Sequence, residues 1–201
     1  FRKRADMWLP LLNNLRWKAP KVGMLYSVTS QMIGWPYQEI EFEGFGLHHS
    51  LFYNSIPYFV IHEDAIADTR ESLGLYRVIV APYAPLIQRE TVGEWINWIR
   101  VGGVLLSSGP FGVHDQYGRE DLRVLRAVFG QSLKAEYASD EIAVAGSNRL
   151  DAASVAYLRG NGILDVDSVS GWFWNISFDK LPETARVLLR LEDGRPVLLE
   201  G

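Results

Sequence analysis

The sequence predicts an α/β protein built on an open, doubly wound, mostly parallel sheet, with a small antiparallel β extension at the C-terminus. Three observations carry this. Apolar runs with β-branched residues, KVGMLYS, RVIVA and VLLS, recur along the first two-thirds of the chain. Segments of helical periodicity separate them, above all Arg89–Arg100. The last third changes to short alternating segments and a hairpin pattern. Continuous apolar strands between helices belong in a parallel sheet covered on both faces.

The elements follow in order. Phe1, Ala5, Trp8, Leu12 and Leu15 form one helical stripe, broken by Pro10 and ended by Pro20, so residues 1–20 read as a connector helix from a preceding domain. Lys21–Ser27 reads as the first strand of a core spanning 21–135. QEIEFEGF alternates charge with apolar residues; an extended conformation would place Glu39, Glu41 and Glu43 on one face. Gly44–Asn54 reads as a helix, Tyr58–Ile61 as a strand, Ala65–Ser72 as a short helix or turn, and Arg77–Ala81 as the clearest strand. In Arg89–Arg100, Val92, Trp95, Ile96 and Ile99 share a face, and Gly102-Gly103 supplies the stop. Val104–Ser107 is the next strand. Glu120–Phe129 is a helix with Leu122, Leu125 and Val128 inward. In the C-terminal part, 136–201, KAEYAS (from Lys134), EIAVAG, SVAYL and GWFWNISF read as short strands, and Arg186–Glu200 as a hairpin around an Asp-Gly turn.

Composition narrows the chemistry. The 201 residues are 48% hydrophobic and 22% charged, with a formal net charge of −4. This is ordinary for a globular chain and poor for a nucleic-acid surface, which needs clustered Lys and Arg. There is no cysteine, which removes disulfides, thiolate metal sites and a cysteine nucleophile. No apolar run approaches the roughly 20 residues that span a bilayer, so no membrane partner is expected. No signal-peptide pattern opens the chain, but a signal could lie upstream of it; the location is left open, with the cytoplasm favoured. The chain starts without Met and stops just past an apolar run, and it reads as an excerpt of a longer protein.

The run LLSSGPFGVHDQYG, Leu105–Gly118, carries the densest set of candidate site residues. Ser107 or Ser108 as nucleophile, His114 as base and Asp115 as its orienter would make a serine hydrolase at the carboxyl ends of the strands, where open α/β sheets bind ligands. The nucleophile-elbow pattern is missing, because Leu105 and Leu106 stand where its first glycine belongs. Adjacent His and Asp in a loop also point apart. The serines then serve as strand-end caps bonded to loop backbone.

His48, His49, His62, Glu63, Asp64, His114 and Asp115 offer metal donors, but no H-E-x-x-H spacing occurs, and neighbouring helical residues lie about 100° apart. Glu39, Glu41 and Glu43 are the only dense carboxylate set and read as a solvated face, not a glycosidase pair. Among the aromatics, Trp172, Phe173 and Trp174 read as packing or subunit contact. Trp35, Tyr83 and Tyr117 lie in strand-end loops and face a ligand. The sheet's carboxyl edge is expected to carry Trp35, Tyr83, Ser107, Ser108, His114, Asp115 and Tyr117 together. They form a binding rim with no catalytic residue, metal or cofactor.

The stretch YRVIVAPYAPLIQRETVGEWINWIRVGGVLLSSGPFGVHDQYG, Tyr76–Gly118, resembles the middle, trimerisation domain of family 42 β-galactosidases. That domain belongs to the flavodoxin-like class I glutamine amidotransferase superfamily. The shared pattern is a strand ending in proline, a loop, a helix, Gly-Gly, a strand, and a loop with an acidic-Tyr-Gly element. Asp115-Gln116-Tyr117-Gly118 approximates the last of these. KVGMLYS fits upstream, and ARVLLRLEDGRPVLLEG resembles a closing hairpin. Between Gln131 and Glu183 little matches.

The resemblance implies a parent glycosidase whose catalytic carboxylates sit in a separate barrel ahead of this domain. The domain itself would assist homo-oligomer assembly and help wall a carbohydrate site. Glutaminase chemistry needs a thiol that this chain lacks. A free-standing hydrolase using Ser107–Asp115 and a carbohydrate-binding or sensor module are the alternatives.

Overall fold

The computed structural model describes residues 19–32, 37–82, 84–107, 111–129, 133–136, 148–162, 168–169, 175–178, 185–190, 192 and 196–200. At its centre is the β-branched run around Ile79. Strand β3 (Val78–Ala81) lies between β1 (Val22–Tyr26) and β5 (Val104–Ser107), and β2 (Tyr58–His62) pairs with the far side of β1. All pairings in this sheet are parallel, with Val22 opposite both Tyr58 and Val78, and Val78 opposite Val104. The order β2-β1-β3-β5 means that the chain runs to one edge, returns past β1 and continues on the other side. That is the flavodoxin-like winding, with its switch point between β1 and β3.

The helices are α1 (Val28–Met32), α2 (Tyr37–Tyr53), α3 (Glu63–Ala67), α4 (Val92–Arg100) and α5 (Arg123–Phe129), with a 3-10 turn at Leu73–Leu75. Leu25, Ile61, Ile79 and Ala81 are buried together with Trp95, Trp98, Phe111 and Val124 in one core. A parallel sheet is stable only when helices cover its faces in this way. Beyond the strand ends, two-residue segments β4 (Leu86–Ile87) and β6 (His114–Asp115) form a further parallel pair.

Helix α4 shows why Gly102-Gly103 follows it. Its buried residues are Val92, Trp95 and Trp98, with Ile96 and Ile99 packed at the margin. The sequence reading omitted Trp98. Its buried indole N–H has a partner, with Nε1–H donating to Tyr76 O at 3.0 Å. Trp95 sits edge-on to Trp98 and to Phe111, with ring centroids 6.0 and 4.8 Å away. Gly102 N–H donates to Ile99 O and Gly103 N–H to Trp98 O, which closes the helix in a Schellman motif. Gly102 supplies the required positive φ of 96°. A Cβ on Gly103 would lie 2.3 Å from the Trp98 ring.

Two element assignments change. The segment Gln38–Phe45 is helical, as part of α2, so a period-two face for Glu39, Glu41 and Glu43 does not exist. Five alternating residues are too short to fix a period, and Gln and Glu are good helix formers that continue into the Gly44–Asn54 pattern. SVAYL is also helical, inside α6 (Ala152–Gly160). Its start was legible: the Asp151 carboxylate accepts Ser154 N–H at 2.7 Å, and Val155 packs against the apolar cluster that holds Leu150, at the two positions of a hydrophobic staple.

The remaining described segments are antiparallel. β7 (Leu133–Glu136) pairs with β10 (Asn175–Phe178), β8 (Asn148–Arg149) with β9 (Ser168–Val169), and β11 (Arg186–Arg190) with β12 (Pro196–Glu200). The expected hairpin is therefore present, while its Asp-Gly turn lies outside the described residues. EIAVAG, the residues 1–18 and Trp172–Trp174 lie outside them too. Arg190 N–H donates to Ser154 Oγ at 2.7 Å, so the hairpin and α6 share a second apolar cluster of Leu150, Leu158 and Leu189.

Gly103→Ala is expected to lower stability by about 1–3 kcal/mol, because the rigid indole beneath cannot yield. Gly93→Ala in the same helix, with open space around its Cβ, should raise it by about 0.5–1 kcal/mol. Asp151→Ala should cost about 1 kcal/mol through the lost cap. Urea midpoints of the three variants measure all of these.

Candidate functional site

The carboxyl ends of β1, β2 and β3 meet at the switch point, the usual ligand crevice of this winding. Here the chain's own side chains and backbone occupy it. Ser27 follows β1, Glu63 follows β2, and both are buried, as are Thr29 and Ser30 on α1. The Glu63 side chain is 0% exposed. Its Oε1 accepts the Gln88 N–H, its Oε2 lies 3.1 Å from Ser27 Oγ, and Thr29 supplies a further side-chain bond. Ser30 completes the network: its Oγ accepts Leu86 N–H at 3.1 Å and donates to Leu86 O at 2.9 Å. Ser30 N–H donates to Ser27 Oγ at 3.2 Å.

Burial holds the Glu63 carboxyl above its ordinary value near 4.5; the bonds from Gln88, Thr29 and Ser27 oppose that shift, and the Asp64 charge adds to it. No ion pair involves Glu63 among the described residues. From the sequence, Glu63 is one of seven candidate metal donors and nothing more specific. Its burial depends on β4 folding back over the strand ends, which no local pattern announces.

The outer rim is built on β6. Asp115 is buried, and its Oδ1 accepts both Tyr117 N–H and Arg119 N–H at 2.9 Å. Asp115 O accepts Gly118 N–H at 2.9 Å, and Gly118 has φ 75°. The acidic-Tyr-Gly element is thus an Asx-type turn whose carboxylate is committed to backbone donors. The turn leaves Tyr117 73% exposed, with the Arg119 guanidinium 5.9 Å from its ring centroid. Gln116 Oε1 accepts Arg89 N–H at 2.9 Å, and its amide donates to the Glu90 carboxylate at 3.0 Å. Nearby, the Arg123 fork on Asp121 holds that carboxyl below its ordinary value.

The structure therefore places His114, Asp115 and Tyr117 on one strand-end loop, and Ser107 at the end of β5. Ser107 Oγ donates to Ala81 O at 3.3 Å, a strand-to-strand bond. His114 is joined to the rim by its backbone, with N–H donating to Pro85 O at 3.0 Å. Trp35, Tyr83 and Ser108 lie outside the described residues.

The metal candidates sit apart. His48 and His49 are on α2, where His48 Nδ1 hydrogen-bonds Tyr58 OH; His62 closes β2. Among the described residues no three His, Asp or Glu side chains gather as a metal site. No described helix is long and apolar enough to cross a membrane.

A groove of about 930 Å³ lies at the other end of β2, lined by Pro20, Phe52, Tyr53, Ile56 and Phe59 among others. Phe52 and Tyr53 there are 66% and 78% exposed.

No protein-family model matches the chain, and no curated protein sequence matches it. Solved structures do. Gan42B, a GH42 β-galactosidase from G. stearothermophilus, superposes with a TM-score of 0.58 at 16% identity, over 88% of this chain and 24% of that one. The cold-adapted β-galactosidase of Rahnella sp. R3 gives 0.58 at 16% identity, over 94% and 28%. The β-galactosidase of Bacillus circulans sp. alkalophilus gives 0.57 at 16% identity, over 86% and 24%. The chain thus spans about a quarter of the length of each. At this identity the likeness is one of fold: the chain has the fold of a segment found within GH42 β-galactosidases.

Because the Glu63 carboxyl is raised when folded, the protonated form stabilises the fold. That contribution is complete below the unfolded value near 4.5 and is lost as pH rises through the folded value. Each unit of elevation corresponds to about 1.4 kcal/mol. Glu63→Gln, neutral at every pH, should remove this decline. Chemical denaturation of both proteins between pH 4 and 8 tests it, with a parallel decline in the variant as the opposing result.

Proposed function

We propose that this chain is a non-catalytic α/β domain of a glycoside hydrolase, equivalent to the middle domain of family 42 β-galactosidases and related to the glutamine amidotransferase superfamily. Its roles are subunit assembly and the walling of a carbohydrate site, with the catalytic carboxylates in a preceding barrel. The fold shared with about a quarter of each GH42 β-galactosidase chain carries this reading.

The switch point supports it. An enzyme of this winding keeps that crevice open for its substrate, whereas here Leu86 and Glu63 fill it. The serine-hydrolase alternative loses support from the same geometry, since Ser107 bonds to Ala81 O and Asp115 to its own turn.

A sugar would meet the rim at Tyr117. An exposed phenol ring gives a pyranose a flat apolar face, and the Arg119 guanidinium beside it offers hydrogen-bond donors. For assembly, the exposed Phe45, Phe52, Tyr53 and Phe59 offer aromatic surface of the kind enriched at protein contacts.

Galactoside titration is expected to show binding that Tyr117→Ala abolishes while stability changes by less than about 0.5 kcal/mol. Binding that survives Tyr117→Ala would exclude the Tyr117 rim as the sugar wall. Phe52→Asp should lower the mass measured by light scattering; a monomer at all concentrations before substitution would rule out autonomous assembly. Galactoside binding by a strict monomer would favour a binding or sensor module.

A further inference from the structure

The Glu63 network is more elaborate than a scaffold needs. A fully buried carboxyl without a cation is normally replaced by an apolar residue or an amide, because its charged form is costly in a dry site. Here it ties together segments far apart in the chain: Ser27 after β1, Ser30 on α1, and Leu86 and Gln88 around β4.

Hydrogen-bond bookkeeping allows the network two complete states. Ser27 Oγ lies 3.1 Å from both Glu63 Oε2 and Leu86 O. When Glu63 is ionised, the Ser27 proton points to Oε2. When Glu63 is protonated, its O–H donates to Ser27 Oγ and the Ser27 proton turns to Leu86 O. That carbonyl already accepts Ser30 and has a second lone pair free. Only a hydroxyl rotates between the two states. They differ in charge, and full burial with no basic side chain paired to Glu63 among the described residues favours the neutral one.

The surrounding charges sharpen the contrast. Ser27 comes from the end of β1, and α1 contributes Thr29 and Ser30. The β4 segment contributes backbone and Gln88, and α3 contributes Asp64, whose Oδ1 accepts the Gln88 side chain. Asp64 is a second anion, so it opposes ionisation. His62 turns outward, with its ring edge-on to Tyr26.

We propose that Glu63 is a proton-operated latch: protonated, it seats Leu86–Gln88 closed on the strand ends, and ionised, it lets that segment lift and admit water. The motion reaches the rim through defined contacts. Leu86 and Ile87 pair with His114 and Asp115, and Arg89 N–H is held by Gln116. Loosening β4 therefore loosens the Asp115–Gly118 turn that presents Tyr117. The consequence for a sugar rests on the wall-forming role proposed above; the latch does not.

Amide hydrogen exchange by NMR tests this. Wild type and Glu63→Gln are compared at the same pH, so that the intrinsic pH dependence of exchange cancels. The amides of Leu86, Gln88, Arg89, Tyr117 and Gly118 are expected to exchange increasingly faster in wild type. The ratio should grow roughly tenfold per pH unit above the ordinary glutamate range and level off once the closed carboxyl ionises. Parallel profiles in the two proteins would overturn the latch. A response at Leu86–Arg89 without one at Tyr117 and Gly118 would overturn its coupling to the rim.

Ser27→Ala is a second probe should Glu63→Gln fold poorly. It removes a donor to the anion and should carry the rise to higher pH; a profile superimposed on wild type would count against the proposal. These readouts use no sugar. Their failure would leave the wall-forming role standing, and a failure of galactoside binding would leave the latch standing.

Discussion

A carboxyl group with no exposed surface has to be met by donors wherever it lies, and at Glu63 that requirement organises the sheet's carboxyl end. The donors available are the Gln88 backbone and the hydroxyls of Ser27 and Thr29. Bringing them together pulls β4 across the ends of β1 and β2. Once Leu86–Ile87 is fixed there, β6 can pair with it, and Gly112 N–H and Val113 N–H reach Ala84 O and Pro85 O. The close approach explains Gly112, whose φ of 58° and contact with Ile87 leave no room for a side chain. The loop that presents Tyr117 is thus a consequence of how a buried acid is satisfied.

This arrangement bears on function through what it occupies. The doubly wound order creates a crevice at its switch point, and in this chain polar groups of the protein close it. What remains for a ligand is the outer rim, where an exposed ring, a guanidinium and amide groups stand on a turn stabilised from within. Such a surface suits contact with part of a molecule held mainly elsewhere. That fits a domain placed beside a catalytic barrel, as proposed from the fold shared with GH42 β-galactosidases.

Much of the fold was legible in the residues. VIVA, VLLS and the Trp95 helix were read nearly to their ends, because continuous β-branched runs and a well-populated 3.6-residue stripe each admit one interpretation. QEIEF and SVAYL were misread, because in five residues a period of two and a helical period are not separable; helix formers running into Gly44–Asn54 decided the first, and the Asp151 cap the second. In the rim, Asp115, Tyr117 and Ser107 were picked out as candidates, but Asp115 serves its own turn and Ser107 a neighbouring strand. Glu63 was weighed only as a metal donor, since nothing beside it in the chain signals burial.

The sequence by itself determined the α/β class, the central strands around VIVA and VLLS with the Trp95 helix between them, the glycine stop after that helix and the absence of thiol chemistry. These rest on local periodicity and on which side chains exist at all. Only the tertiary structure decided that Leu86–Gln88 covers the switch point, that Glu63 is buried and that Tyr117 is left outside. The first two outcomes depend on hydrogen bonds between residues 25 to 59 positions apart, which no window along the chain contains.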